Sequence, residues 1–203
     1  MGGLGYSGVM WFERRTLASL VVTVSLLAAG AAFARPMSLP KPPARLVDVV
    51  MQQAQEMNDA VLDEDYTALA DFMYPRVLVA LGGRAAVIRN MQNEMLDAAE
   101  EEYGVTAIRV LTATEPVEAG NELHSVVTCL QYMKAPGVIF RARTYLIASS
   151  SDAGETWKFL NVPKRNPELV KSIFPVWNPE LQIPTPPAPE PLSAQTLFEP
   201  VAK

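Results

Sequence analysis

The 203-residue chain has one cysteine and one histidine. A single cysteine, Cys129, excludes an internal disulfide, so packing alone must hold the fold. It sits in the apolar run 126–130 and reads as a small buried hydrophobe rather than a reactive thiol. A single histidine, His124, without clustered Asp, Glu or Cys does not make a metal site. No metal and no other cofactor is expected. Basic residues are also short, 17 Lys and Arg against 22 Asp and Glu, for a net charge of −5. That balance leaves no electrostatic footprint for DNA, RNA or anionic lipid. No motif is strong enough to name a reaction.

The N-terminus, by contrast, is strongly patterned. Arg14 and Arg15 precede an apolar run over residues 17–34, which closes on Ala32-Phe33-Ala34 before Arg35-Pro36. A charged region, an apolar region and an Ala-x-Ala site mark a secretory signal peptide, so residues 1–34 read as a signal cut between Ala34 and Arg35. The protein is therefore expected to be exported, periplasmic or secreted. Glu13 and Thr16-Leu17-Ala18 fit a twin-arginine signal poorly, which favours the Sec route. The alternative is an uncleaved inner-membrane anchor, because roughly 18 apolar residues lie near the lower limit for a span. Membrane contact is expected only through that segment.

Prolines mark the limits of the folded part. Pro36, Pro40, Pro42 and Pro43 make an extended lead-in, and from Asn178 the chain is crowded with prolines. Such a stretch forms neither helix nor central strand, so residues 178–203 read as a disordered, solvated tail. The domain between them spans residues 44–177. Its first half is helical in period. Leu46, Val49, Val50, Ala54, Met57 and Val61 form one stripe. Asp63-Glu64-Asp65 can cap a second helix carrying Tyr66, Leu69, Phe72 and Met73, which must stop before Pro75. Gly82-Gly83 breaks the chain. A third helix then carries Ala86, Val87, Met91, Met95 and Ala98, with Gly104 as its C-cap.

Beyond Gly104 the period changes to two. Residues 105–114, 122–133, 138–148 and 156–162 read as four sequential antiparallel strands. In the third, Val138, Phe140, Ala142, Thr144 and Leu146 oppose Arg141, Arg143 and Tyr145, giving one dry face and one wet or paired face. The fold class is α+β, with N-terminal helices packed on one face of a curved four-strand sheet.

Helices first, a Gly-Gly break and then a four-strand meander resemble the nuclear-transport-factor-2-like (SnoaL-like) superfamily, here as an exported bacterial member. The resemblance covers residues 44–162. It rests on the first-helix stripe, on Tyr74-Pro75 with Leu81-Gly82-Gly83, and on Trp157-Lys158-Phe159. It implies a cone of helices and bent sheet that often holds a small apolar ligand. Tyr66, Phe72, Met95, Tyr132 and Phe140 are the candidate lining. Some members move a proton with an Asp or an Asp–His pair aimed into the cone. A cystatin-like fold, lacking the second and third helices, is the nearest competitor.

His124 is the one residue suited to general-base work near pH 7, with Asp71 or Asp97 as the helix carboxylate orienting it. The other reading is an exposed strand-end residue beside the turn at Gly120-Asn121. Ser150-Ser151-Asp152-Ala153-Gly154-Glu155-Thr156-Trp157 matches the S-x-D-x-G-x-T-W Asp-box in a single copy. Without a repeat it excludes a propeller. Ser150, Asp152, Gly154, Thr156 and Trp157 then read as a hairpin lock, with Gly154 at positive φ. Arg141 and Arg143 can bind an anion or pair with Glu122 or Glu155, and cross-strand pairing is the common outcome. The leading expectation is a non-enzymatic binding domain for a small apolar ligand or a protein partner. A lyase or isomerase using His124, and a structural homodimer, are the alternatives.

Overall fold

Leu46, Val50, Ala54 and Met57 line the buried stripe of helix α1 (Leu46–Leu62). The computed structural model describes residues 46–161, 170 and 172–192. The signal segment, its cleavage site at Ala34 and Arg35, and the last residues of the tail lie outside them. Two glutamines on α1 use both ends of their amides, Gln55 on the sheet and Gln53 on the hairpin at residues 151–157. Gln55 accepts from Val110 N at 3.0 Å and donates to Ile108 O at 3.3 Å. Gln53 accepts from Trp157 N at 2.8 Å and donates to Glu155 O at 2.9 Å. An amide carries a donor and an acceptor, so each side chain satisfies one backbone N–H and one C=O.

Asp65 caps α2 (Tyr66–Phe72), its carboxylate accepting from Thr67 N and Ala68 N. A short helix, α3 (Pro75–Ala80), follows where the sequence indicated only a break. Pro75 both ends α2 and opens α3, since its missing N–H and fixed φ suit a first helical position. Helix α4 (Arg84–Glu100) buries Val87 alone, while Ala86, Met91, Met95 and Ala98 are half-buried. It leans on α2, α3 and strand β1 rather than on the sheet face, so its apolar side is incompletely covered. Gly104 is not its cap. Glu102 takes the left-handed turn at φ 59, with Glu102 N on Ala99 O and Tyr103 N on Ala98 O. Those two bonds make the closing pattern usually built on glycine. Among the described residues no helix is long and apolar enough to cross a membrane.

The strands are β1 (Gly104–Ala113), β2 (Val117–Ala119), β3 (Glu122–Ala135), β4 (Val138–Ser150), β5 (Lys158–Asn161) and β6 (Glu190–Leu192). They form one six-stranded antiparallel sheet in the order β1-β3-β4-β5, with β2 also on β3 and β6 also on β4. The chain is α+β, with six strands among the described residues where four were expected. β2 uses the stretch read as a turn. β6 uses the stretch read as solvated tail, at an edge, where a proline such as Pro191 is tolerated.

Alternation along β3 and β4 sends side chains to two faces. On one, Leu123, Val127, Cys129, Leu146, Ala148, Trp157 and Phe159 pack against the α1 stripe. Val50, Ala54, Leu123, Val127 and Trp157 are each 1% exposed or less, so this layer is filled. On the other, Val126, Tyr145 and Ile147 meet Tyr74, Val77, Val170, Phe174 and Leu181. The C-terminal segment, expected to be solvated from Asn178, thus covers the sheet face opposite α1. Residues 145–150 are buried throughout, in place of one dry and one wet face.

Candidate functional site

Glu122 and His124 stand two apart on β3 and therefore share a face. Ser149 of β4 lies directly across from His124 in the register. Tyr74 comes from the α2–α3 junction, where its N–H donates to Phe159 O at 3.2 Å and fastens the junction beside β5. The last three of these side chains, His124, Ser149 and Tyr74, converge on the carboxylate of Glu122. Glu122 Oε2 accepts from His124 Nε2 at 2.9 Å, Ser149 Oγ at 2.7 Å and the Tyr74 hydroxyl at 3.2 Å. Oε1 accepts from the same Tyr74 hydroxyl at 3.0 Å.

Aromatic rings close the cluster from the C-terminal side. Phe174 meets His124 edge-on at 5.1 Å between centroids, Trp177 lies 5.5 Å from His124, and Tyr74 packs 4.5 Å from Phe174. His124 is 1% exposed, and its Nδ1 is buried without a hydrogen-bond partner among the described residues. The carboxylate itself reaches a cleft of about 190 Å³, whose walls include Tyr74, Arg76, Ser149, Ser151, Thr156 and Lys158.

Electrostatics follow from these contacts. Burial opposes ionisation of Glu122, but hydrogen bonds from His124, Ser149 and Tyr74 outweigh it and hold the carboxyl below its ordinary value. Burial and the neighbouring Glu122 push the Tyr74 phenol up to about 12. Burial likewise pushes the Cys129 thiol up to about 11, against a contact from Asn58 Nδ2 at 3.7 Å. A carboxylate held ionised is a weak base near neutrality, and a phenol and thiol held neutral are a weak acid and a weak nucleophile.

The residues singled out in the sequence are not gathered in one place. His124 is neither a strand-end residue in solvent nor a neighbour of the α1 layer. Its carboxylate is Glu122, not Asp71 or Asp97. Asp71 pairs with Arg84 at 2.8 Å on the surface, and Asp97 is exposed on α4. Phe72 packs at the margin of the α1 core, while Tyr66 and Met95 are half-buried on α2 and α4. Tyr132 pairs with Arg141 and Phe140 with Met133, so Tyr132 and Phe140 occupy opposite faces. Arg141 pairs with Glu190 at 2.5 Å, rather than with Glu122 or Glu155, and Arg143 is exposed. At the hairpin, Asp152 accepts from Ser150 Oγ, Thr156 N and Thr156 Oγ1. Gly154 sits at φ +94, and Trp157 Nε1 donates to Gly154 O at 3.1 Å.

Sequence reasoning gave no site role to Tyr74, Ser149, Arg76 or Lys158, and saw Glu122 only as a partner for arginine. One signal was available: Glu122-x-His124 puts a carboxylate and an imidazole side by side on a strand. Among the described residues no group of three or more His, Cys, Asp or Glu is placed to hold a metal ion. No protein-family model, no curated protein and no solved structure matches this chain.

Proposed function

We propose that this chain is an exported, non-enzymatic binding domain that takes a small polar ligand in the Glu122 cleft. The observation carrying this reading is the convergence of three donors, His124, Ser149 and Tyr74, on Glu122 at the cleft. Those bonds hold Glu122 as a carboxylate of lowered basicity at the cleft, and His124, 1% exposed, does not line it, so neither is placed as the base a lyase or isomerase needs. A preformed charge with its donors in place is what recognition uses, because little reorganisation is left to perform on binding. Export is supported by the signal pattern of residues 1–34. Helices preceding an antiparallel meander support the NTF2-like resemblance, which remains part of the proposal. An apolar ligand between α1 and the sheet is disfavoured, because Trp157, Leu123 and Val127 fill that layer.

A thermal-shift screen of the folded protein tests this reading. The panel holds small polar compounds and, separately, fatty acids and other apolar chains. Stabilisation by polar compounds, weakened in Arg76→Gln and Lys158→Met, is the expected result. Stabilisation by apolar chains alone, or by nothing in the panel, overturns it.

A further inference from the structure

We infer that the Glu122 cleft binds a small amino-acid zwitterion, its ammonium on Glu122 and its carboxylate on Arg76 and Lys158; this rests on the binding function proposed above. Three observations carry it. The first is the charge pattern. One cleft holds one carboxylate and two cations, Glu122 against Arg76 and Lys158. A plain amine would satisfy Glu122 and face two cations. A plain acid would satisfy the cations and face Glu122. A zwitterion meets both, and a site that leaves a charged group unpaired rejects the ligand responsible.

The second is unused bonding capacity. Oε2 of Glu122 accepts from His124 and Ser149, the single Tyr74 proton lies nearer Oε1, and the side chain is 29% exposed. A carboxylate oxygen accepts at two positions, so Oε1 retains one for an incoming N–H. Lys158 Nζ donates to the backbone carbonyl of Asp71 at 2.6 Å, which fixes the ammonium and leaves two of its three donors. Arg76 has no carboxylate partner among the described residues, and its guanidinium can meet a carboxylate with two parallel bonds.

The third is size. At ~30 Å³ per water, a cleft of about 190 Å³ corresponds to roughly six waters. It falls below the ~300 Å³ at which drug-sized ligands begin. A small amino acid fits these limits, and a nucleotide does not.

Calorimetric titration of the full chain with glycine, β-alanine and 4-aminobutyrate tests the inference and reads the spacing between the two ligand charges. Propylamine and butyrate serve as the matched halves of 4-aminobutyrate. At least one zwitterion should bind about tenfold tighter than either half, and Arg76→Gln or Lys158→Met should weaken it by about tenfold. Both variants lie at the rim, so they keep the test sound even if Glu122→Gln loosens the fold. Equal affinity for zwitterion and half, or zwitterion binding untouched by both rim variants, overturns the inference. If the zwitterions are silent while other polar compounds stabilise the protein, the ligand class falls and the binding function stands. Silence of every polar compound removes both.

Discussion

The two faces of the β3–β4 pair differ in how they are held, one mainly by apolar packing and the other by apolar packing joined to a polar cluster. Against α1 the contacts are aliphatic and aromatic, with Leu46, Val50 and Met57 on Leu123, Val127, Leu146 and Trp157. Burying a side chain of that size contributes about 1.5–3 kcal/mol, and no direction is required of it. Against the C-terminal segment the same strands present His124, Ser149 and Glu122, closed over by Phe174 and Trp177. There Val126, Tyr145, Ile147 and Phe174 add apolar packing, and the polar part depends on partners, since an orphaned group such as His124 Nδ1 costs about 1–3 kcal/mol. One face tolerates repacking, and the other demands geometry. The second face can carry a polar cluster because the first already supplies much of the core.

The strongest way to break this contrast is to truncate one large ring on each face. Trp157→Ala should cost about 3–5 kcal/mol in urea unfolding and loosen the whole domain. Phe174→Ala should cost less in global stability, and hydrogen exchange should show its effect concentrated in β3 around His124. Equal global losses would erase the distinction. Next comes Gly154→Ala, on the α1 side. A Cβ there would sit 2.5 Å from Leu46 Cδ2, on a backbone at φ +94. The expected loss is about 2 kcal/mol by thermal or urea denaturation.

Acid should act on the polar face and, to a lesser extent, at the Asp152 hairpin. The carboxyl of Glu122 is held below its unfolded value, so its contribution is complete above about pH 4.5 and disappears as pH falls through the folded value. Urea midpoints from pH 7 down to 3 should therefore fall, and Glu122→Gln should flatten part of that slope. Asp152 is lowered by bonds from Thr156 and Ser150 against its own burial, so a residual slope should persist in that variant. The smallest effect lies on neither face. Glu102→Gly should stabilise by up to about 1 kcal/mol, because Glu102 occupies a left-handed position at the end of α4. A midpoint that stays put would show the strain is relieved elsewhere.

What could be read from sequence was what closes over short distances. The α1 stripe repeats within one helix, and the bonds among Ser150, Asp152, Gly154 and Thr156 span a few residues. The alternation of β4 was also legible, but its consequence was not. Which face is covered depends on Val170, Phe174, Trp177 and Leu181, and a crowd of prolines after Asn178 reads locally as solvated chain. Helix α3 was hidden for a similar reason, since Pro75 looks like a stop until its place at a helix start is seen. The candidate site suffered most. Tyr74 and Glu122 are separated by nearly fifty positions, and nothing in either segment announces that the two will share a hydrogen bond.

The split margins of the sheet carry a consequence for self-association. β3 is flanked by β1 and then β2, and β4 by β5 and then β6, so neither flank is one continuous ribbon. β1, the longest of the outer strands, is irregular at two points, between Val105 and Ala107 and between Val110 and Thr112. β5 has four residues and β6 three, with Pro191 among them. Another copy seeking to extend the sheet by strand addition would find short, kinked or donor-poor templates on both sides. The chain thus guards against amyloid-like stacking through its own outline.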